Sequence, residues 1–372
     1  MQNSKKGWLV GIIVILVVLV VYLSIPKVDK SDIKIGFVAP LTGDVASIGQ
    51  GMKTAAELAV SEINNNGGIN GRLIKLITED GKCDGKEAVT VVNKLIKMDN
   101  VTAIVGGACS SETVASAPVA EANKIVMLSP LSSSPAITNS GDYIFRNYPS
   151  DSFQGVRAAE LAVNTLKAKN IAVMSCASDW CEGIQQVFKD KVTALGGNIT
   201  IVEKYDSKTV KDLKTQLTKV KATNPDLVYF LGYTNESIIG LKQTKEIGLK
   251  AQMLGGDAWN DPKITAGAGS AAEGMIYLTP STIQNESFKT SLSAVNGNQG
   301  VTMGSAESYD AVKILAQVIK SVGADSTKIK NALYTIQNYQ GVSGNISFDK
   351  NGDMSSASYD VKTIKNGKPV NY

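Results

Sequence analysis

From residue 33 onward, short β-rich apolar runs alternate with stretches in which apolar residues recur every three or four positions. "IKIGFVAP" reads as a strand, and Ile48, Met52, Ala55, Ala59 and Ile63 then mark one face of a helix that "NNNGG" brings to an end. "RLIKLITED" predicts a second strand, followed by a helix carrying Ala88, Val91, Val92 and Leu95. "VTAIVGG", a helix through "ETVASAPVAEAN", and "IVMLS" continue the alternation. Repeated βαβ units in one sheet imply parallel strands with helices on both faces.

The alternation restarts near residue 150. Helices are predicted in "SFQGVRAAELAVNTL", "CEGIQQVFKDKVTALGG", "VKDLKTQLTKVKATN" and "NESIIGLKQTKEIG", with strands in "NIAVMS", "NITIVEKYD", "DLVYFLG" and "AQMLGG" between and after them. After "GMIYLTP" the chain turns mainly helical, and it closes on "NISFDKNGDMSSASYDVKTI", where Asn351-Gly352 signals a hairpin turn. No Gly-, Ser- or Pro-rich linker divides the halves. The expected architecture is therefore α/β, with two doubly wound, Rossmann-like lobes and more than one crossing between them. Residues 31–148 and 275–344 are expected in lobe 1, and residues 149–274 and 345–372 in lobe 2.

The first 25 residues break the pattern. Lys5 and Lys6 precede an uninterrupted apolar stretch from Gly7 to Leu23, long enough to cross a bilayer. Neither a small-x-small cleavage site nor a lipid-accepting cysteine stands near Ser24, so an uncleaved membrane anchor is expected ahead of a cleaved signal peptide. The rest of the chain should then lie outside the cytoplasm, anchored to the membrane or secreted if the segment is removed. Four cysteines in two sequence-local pairs suit that compartment, as disulfides Cys83 with Cys109 and Cys176 with Cys181. Four buried thiols are the bland alternative, and a zinc site is remote in a chain without histidine.

Composition narrows the function by exclusion. With 43% hydrophobic and 19% charged residues the chain is globular, and a net charge of +4 spread among scattered lysines leaves no nucleic-acid footprint. The absence of histidine removes the commonest general base and metal ligand, and no phosphate loop or nucleophile elbow appears. An enzyme is not expected, and no cofactor or metal is implied.

Two strand ends carry clusters of small hydroxyls: "GACSSET" at 107–113 and "PLSSSP" at 130–135. Ligands of open α/β sheets gather where strand ends run into helix N-termini, whose unpaired N–H groups suit a small carboxylate. Each cluster alone fits ordinary helix capping, with Ser111 or Thr113 as the cap. The second lobe offers an acid and rings at equivalent places, namely Asp257 beside Trp259, Tyr233 and Trp180. Singly these are a loop acid and loop aromatics; together with the serines they describe a receptor for a zwitterion.

From Ile33 to about residue 365 the chain resembles the extracellular solute-binding proteins of ABC importers, of the leucine/isoleucine/valine-binding type. The likeness rests on "IKIGFVAPLTGDVASIGQG", "AELAVSEINNNGGINGRLIKLITED", "CDGKEAVTVVNKLI", "AIVGGACSSETVASAPVAEANKIVMLSP", "GLKAQMLGGDAW" and "AAEGMIYLTP", in that order. It implies a type I periplasmic binding protein fold whose lobes close on an amino acid and deliver it to a permease. The substrate carboxylate would be held by the loops of Ser110 and Ser133, with Ala108, Cys109, Leu131 and Ser132 beside them. The ammonium would meet Asp257, helped by the Tyr233 hydroxyl. Trp180 would form an aromatic wall, and a first-loop contact would fall at or near Ile48. The resemblance also implies the Cys83 to Cys109 disulfide. Departures from the family's pattern are Trp180 in place of a smaller aromatic, Cys181 in place of glycine, and Asp257 in place of glutamate, which leave the side-chain preference open. An amino-acid-sensing ectodomain acting through a partner is the rival role.

Overall fold

The computed structural model describes residues 31–281, 285–298 and 300–372. The N-terminal apolar segment expected to anchor the chain lies outside them, and among the described residues no helix is long and apolar enough to cross a membrane.

Ile33–Tyr372 forms one compact unit built on two main sheets. The first contains β1 (Ile33–Ala39), β2 (Ile74–Asp80), β3 (Ala103–Val105), β4 (Val126–Ser129) and β5 (Ile144–Arg146), in the order β2-β1-β3-β4-β5. All of its pairings are parallel. β3 and β4 are buried from end to end, as parallel strands covered on both faces must be. Three helices connect these strands: α1 (Ala46–Asn65), α2 (Gly85–Lys97) and α3 (Ser110–Ala122). The start of α2 is fixed by Asp84, whose carboxylate accepts the N–H groups of Lys86 and Glu87.

The second sheet runs β14-β13-β10-β9-β8-β6-β7. β6 (Asn170–Cys176), β7 (Asn198–Tyr205), β8 (Leu227–Leu231), β9 (Gln252–Gly255) and β10 (Ile276–Pro280) are parallel. β13 (Tyr359–Lys365) and β14 (Lys368–Asn371) extend it as an antiparallel hairpin that turns at Asn366-Gly367. Four helices lead toward the functional region or cover the sheet: α4 (Asp151–Glu160), α5 (Asp179–Ala194), α6 (Lys214–Ala222) and α7 (Thr234–Glu246). The short α8 (Pro262–Ala268) follows β9, and α9 (Glu286–Val295), α10 (Ser305–Val322) and α11 (Ser326–Leu333) return to the first lobe. There Ile314, Leu315 and Val318 of α10 share a core with Ala56 and Ala59 of α1.

The expected α/β architecture of two lobes is present, but two boundaries differ from the sequence expectation. The strand at 276–280, placed in lobe 1 by sequence, pairs with β9 and β13 in the second sheet. The segment after 345, placed in lobe 2, begins in the first: β12 (Asn345–Ile346) pairs with β11 (Tyr339–Gln340), and Ile346 and Phe348 join the core around Phe145. An apolar run announces a strand without announcing its partner. Asn351-Gly352 does make a tight turn, closed by the Phe348–Met354 bridge, but the longer hairpin is the one at Asn366-Gly367.

The chain crosses between lobes three times, after β5, after β10 and before β13. Two crossings are tied by the Ser281 N–H, which donates to the Ser358 carbonyl. The first is anchored by Arg146, which is fully buried. Its Nε and Nη2 donate to the two oxygens of Asp353 at 2.6 and 2.7 Å, and Nη1 donates to the Ser134 carbonyl at 2.8 Å. One guanidinium thus fastens the end of β5, the 130–134 loop and the third crossing.

Candidate functional site

A small cavity of about 50 Å³ lies where the two lobes meet. The first lobe contributes Ile48 near the start of α1, Ala108, Cys109 and Ser110 at the start of α3, and Leu131 and Ser133 after β4. The second contributes Trp180 at the start of α5, Tyr233 before α7, and Asp257 after β9. Each group sits just beyond the carboxyl end of a parallel strand or at the helix start that follows one, where loops are free to present polar atoms.

The α3 corner is built by a buried acid that the sequence reading overlooked. Glu112 Oε2 accepts the N–H groups of Ala108 and Cys109 at 2.9 and 3.0 Å, and Oε1 accepts that of Cys83 at 3.0 Å. Burial pushes its carboxyl up to about 7, against the pull of those three donors. The Cys83–Cys109 disulfide ties the same loop to the end of β2. The N–H groups of Ser110 and Ser111, in the first turn of α3, meet no acceptor among the described residues. Neither Ser111 nor Thr113 caps the helix. Ser111 donates to the Cys83 carbonyl, and the Thr113 hydroxyl meets that of Ser132.

The two serine clusters interlock. Ser110 Oγ accepts the N–H groups of Ser133 and Ser134 at 3.2 and 3.1 Å, which leaves its own hydrogen to point elsewhere. Ser129 and Ser132 hydroxyls both donate to the Gly107 carbonyl, at 2.7 and 2.9 Å. Ser132 is thus a brace behind the loop; it does not line the cavity, unlike the other residues singled out from sequence. Gly106 adopts φ +140°, and a Cβ there would come within 2.4 Å of the Val38 carbonyl, so only glycine fits.

The opposite wall carries charge and rings. Asp257 is buried, and its Oδ1 accepts the N–H of Ala258 at 2.9 Å while its Oδ2 accepts the Tyr148 hydroxyl at 2.6 Å. Burial raises its carboxyl above the ordinary range despite these donors. Trp180 and Tyr233 pack with ring centroids 4.9 Å apart, and burial pushes the Tyr233 phenol up. The Cys176–Cys181 disulfide and Ser178, which accepts the Cys181 N–H, fix the turn that carries Trp180. An adjoining hollow shares Val45 and Tyr233 with the cavity, and beside it Lys208 of the second lobe bonds to Asp84 of the first.

Pro40, Val45, Ala258 and Met303 also line the cavity and were missed from sequence. Pro40 ends the first predicted strand, Val45 stands three positions before Ile48, and Ala258 follows Asp257, so proximity alone could have suggested them. Met303 comes from the loop before α10, remote in sequence from the other wall residues, and nothing in its neighbourhood marks it.

A two-lobed α/β molecule with hydroxyls and helix-start amides on one jaw and an acid with rings on the other belongs to the class of hinged ligand receptors. The chain belongs to the periplasmic binding protein family, whose model matches residues 32–368, and this is a family of binding proteins and not of enzymes. Among its relatives, the leucine-, isoleucine-, valine-, threonine-, and alanine-binding protein of Pseudomonas aeruginosa is 33% identical over 336 residues, covering 88% of this chain and 89% of that protein. Among solved structures, the leucine-binding protein LivK of Thermotoga maritima superposes with a TM-score of 0.83 at 28% identity, covering 91% of this chain and 97% of that one. The branched-chain amino acid transporter substrate-binding protein LivJ of Streptococcus pneumoniae, in complex with isoleucine, gives 0.82 at 29% identity with the same coverage.

Proposed function

We propose that the protein is the extracytoplasmic ligand-binding subunit of an ABC importer, capturing an aliphatic amino acid by hinge closure and delivering it to a permease. The observation that carries this reading is the pairing across one cavity of Ser110 and Ser133 with Asp257. The carboxylate of a zwitterion docks on the first-turn amides of α3 and the two serine hydroxyls, and its ammonium faces Asp257. Hydrogen bonds to charged groups contribute about 1.5–3 kcal/mol each, so a few of them support micromolar binding, which needs about 8 kcal/mol. Trp180, Leu131, Val45, Ile48 and Met303 leave an apolar lining for the side chain, in keeping with the leucine-, isoleucine- and valine-binding names of the relatives.

Export is supported by two disulfides, which persist in oxidising compartments. The apolar residues 7–23 supply the anchor in this reading, and retention of the protein in membranes after alkaline carbonate washing tests it. The ligand is tested by calorimetry on the full chain in detergent with leucine, isoleucine, valine, threonine and alanine, beside isocaproate and isoamylamine. Heat with an amino acid and none with compounds lacking one charged end is the expected result. Equal binding of isocaproate would remove Asp257 from the recognition of the ligand.

A further inference from the structure

A second buried acid stands close to Asp257 without lining the cavity. Asp151, the first residue of α4, is fully buried, and its Oδ2 meets no hydrogen-bond partner among the described residues. It is not the cap of its helix, a role taken by Ser150. Gln154 joins it to the ammonium-facing acid: its Nε2 stands 3.5 Å from Asp151 Oδ1, and its Oε1 accepts the Asp257 N–H at 3.0 Å. Two buried carboxyl groups are therefore linked through one side chain. The cation of that region, Arg146, is already spent on Asp353, Ser134 and Thr138.

The other groups that face the pair carry no positive charge. Tyr148, on the first crossing, donates to Asp257. Tyr229 of β8 is buried and Tyr359 of β13 half-buried, each with a buried hydroxyl that meets no hydrogen-bond partner among the described residues, and both feel the two aspartates. The Ser133 hydroxyl and the Trp180 indole pull the Asp151 carboxyl down, Tyr233 adds a neutral phenol, and Glu307 at the start of α10 adds a further acid near Tyr148. Burial and then the charge of Asp257 push Asp151 well above the ordinary carboxylate range, and burial raises Asp257. Arg146 pulls the Asp151 carboxyl down, but burial and the charge of Asp257 outweigh it, and two like charges buried this deeply disfavour full ionisation of both.

We propose that Asp151 and Asp257 act as a pair that holds one proton in the ligand-free protein and releases it to solvent when the ammonium of an amino acid takes over as the compensating positive charge. Asp151 is then a positioning residue: it sets the protonation state of Asp257 without lining the cavity. The inference rests on the amino-acid reading of the site. It makes capture depend on pH with a definite sign. A binding step that expels a proton is favoured as pH rises, so affinity increases with pH until the free pair has lost its proton, by at most about tenfold per pH unit.

The test uses the full chain in detergent, with isoleucine as probe, in calorimetry over about pH 5–8 in buffers of different ionisation enthalpy. The wild type is expected to release up to about one proton per ligand bound, and Asp151→Asn, which keeps shape and removes the like charge, a much smaller fraction. Isoleucine heat with the same buffer-independent enthalpy in both proteins overturns the pair while leaving the amino-acid reading intact. Absence of heat with any amino acid overturns that reading instead, and a ligand-free measurement still decides the pair. Carbon-13 NMR of labelled aspartate carboxyls should show a resonance, missing in Asp151→Asn and in Asp257→Asn, that titrates above the ordinary carboxylate range. If every aspartate is ionised by pH 5, the pair holds no proton and the proposal fails.

Discussion

Lys208 and Asp84 form an ion pair beside the hollow next to the cavity, and because one stands on each lobe the bond exists only when the lobes approach. Lys208 has 63% of its side chain exposed and Asp84 has 32%, so the pair belongs to the surface class worth about 0.2–1 kcal/mol. Losing it should raise the dissociation constant for an amino acid by about 1.4- to 5-fold, through faster release and not slower capture, since the bond forms after docking. The perturbation must be chosen with care. Asp84 also caps α2, so Asp84→Ala would remove a cap as well as a charge, whereas Asp84→Asn keeps the capping oxygen. Lys208→Met and Asp84→Asn should therefore weaken binding by the same factor, and the double substitution by no more than either alone. Stopped-flow fluorescence of Trp180 reads both rates. The factor should shrink as salt rises from 0.05 to 0.5 M, because screening shortens the reach of exposed charges to a few ångströms. Lys204→Met, which breaks a comparable pair with Glu182 inside lobe 2, should leave both rates unchanged. Additive losses in the double variant, or an effect of Lys204→Met equal to that of Lys208→Met, would refute the latch.

Asp257→Asn should weaken amino-acid binding about 10- to 100-fold by calorimetry, the loss of one charge-assisted bond, while Asp261→Asn, at the cap of α8, should stay within about twofold. Arg146→Met leaves Asp353 buried without its partner and should cost about 3–5 kcal/mol in urea unfolding, of which Arg146→Met with Asp353→Leu recovers a large part. Replacing Cys83 and Cys109 by serine opens a loop of sequence separation 26 and should cost about 3–4 kcal/mol by the chain-entropy account, against about 2 kcal/mol for the shorter Cys176 to Cys181 loop; paired unfolding curves give the order.

Alternation of apolar runs and helical periods was enough to reveal two α/β lobes, because parallel strands buried on both faces have a composition that few other elements share. It could not tell which sheet receives β10, since Ile276–Pro280 reads the same whether it pairs with β9 or starts the return to lobe 1. The candidate site was legible where chemistry sits at a strand end: Ser110, Ser133, Tyr233 and Asp257 all stand there, and all line one cavity. Ser132 looked equivalent to Ser133, yet strand and loop geometry turn its hydroxyl backward onto Gly107. Met303 and Asp151 were illegible for different reasons. The first reaches the cavity by a long excursion of the chain, and the second resembles any acid in the first turn of a helix until its burial is seen.

Both sulfur bridges stand next to the cavity, and that of Cys176 and Cys181 also belongs to the core of the second lobe. One fastens the loop that opens α3 and the other the turn that carries Trp180, so each stiffens a lip of the same mouth. Ordering a loosely held loop around a guest costs about 0.5–1.5 kcal/mol for every side chain that must be stilled. Here that disorder is removed once, when the bridges form, so the rims are set in place before any guest arrives.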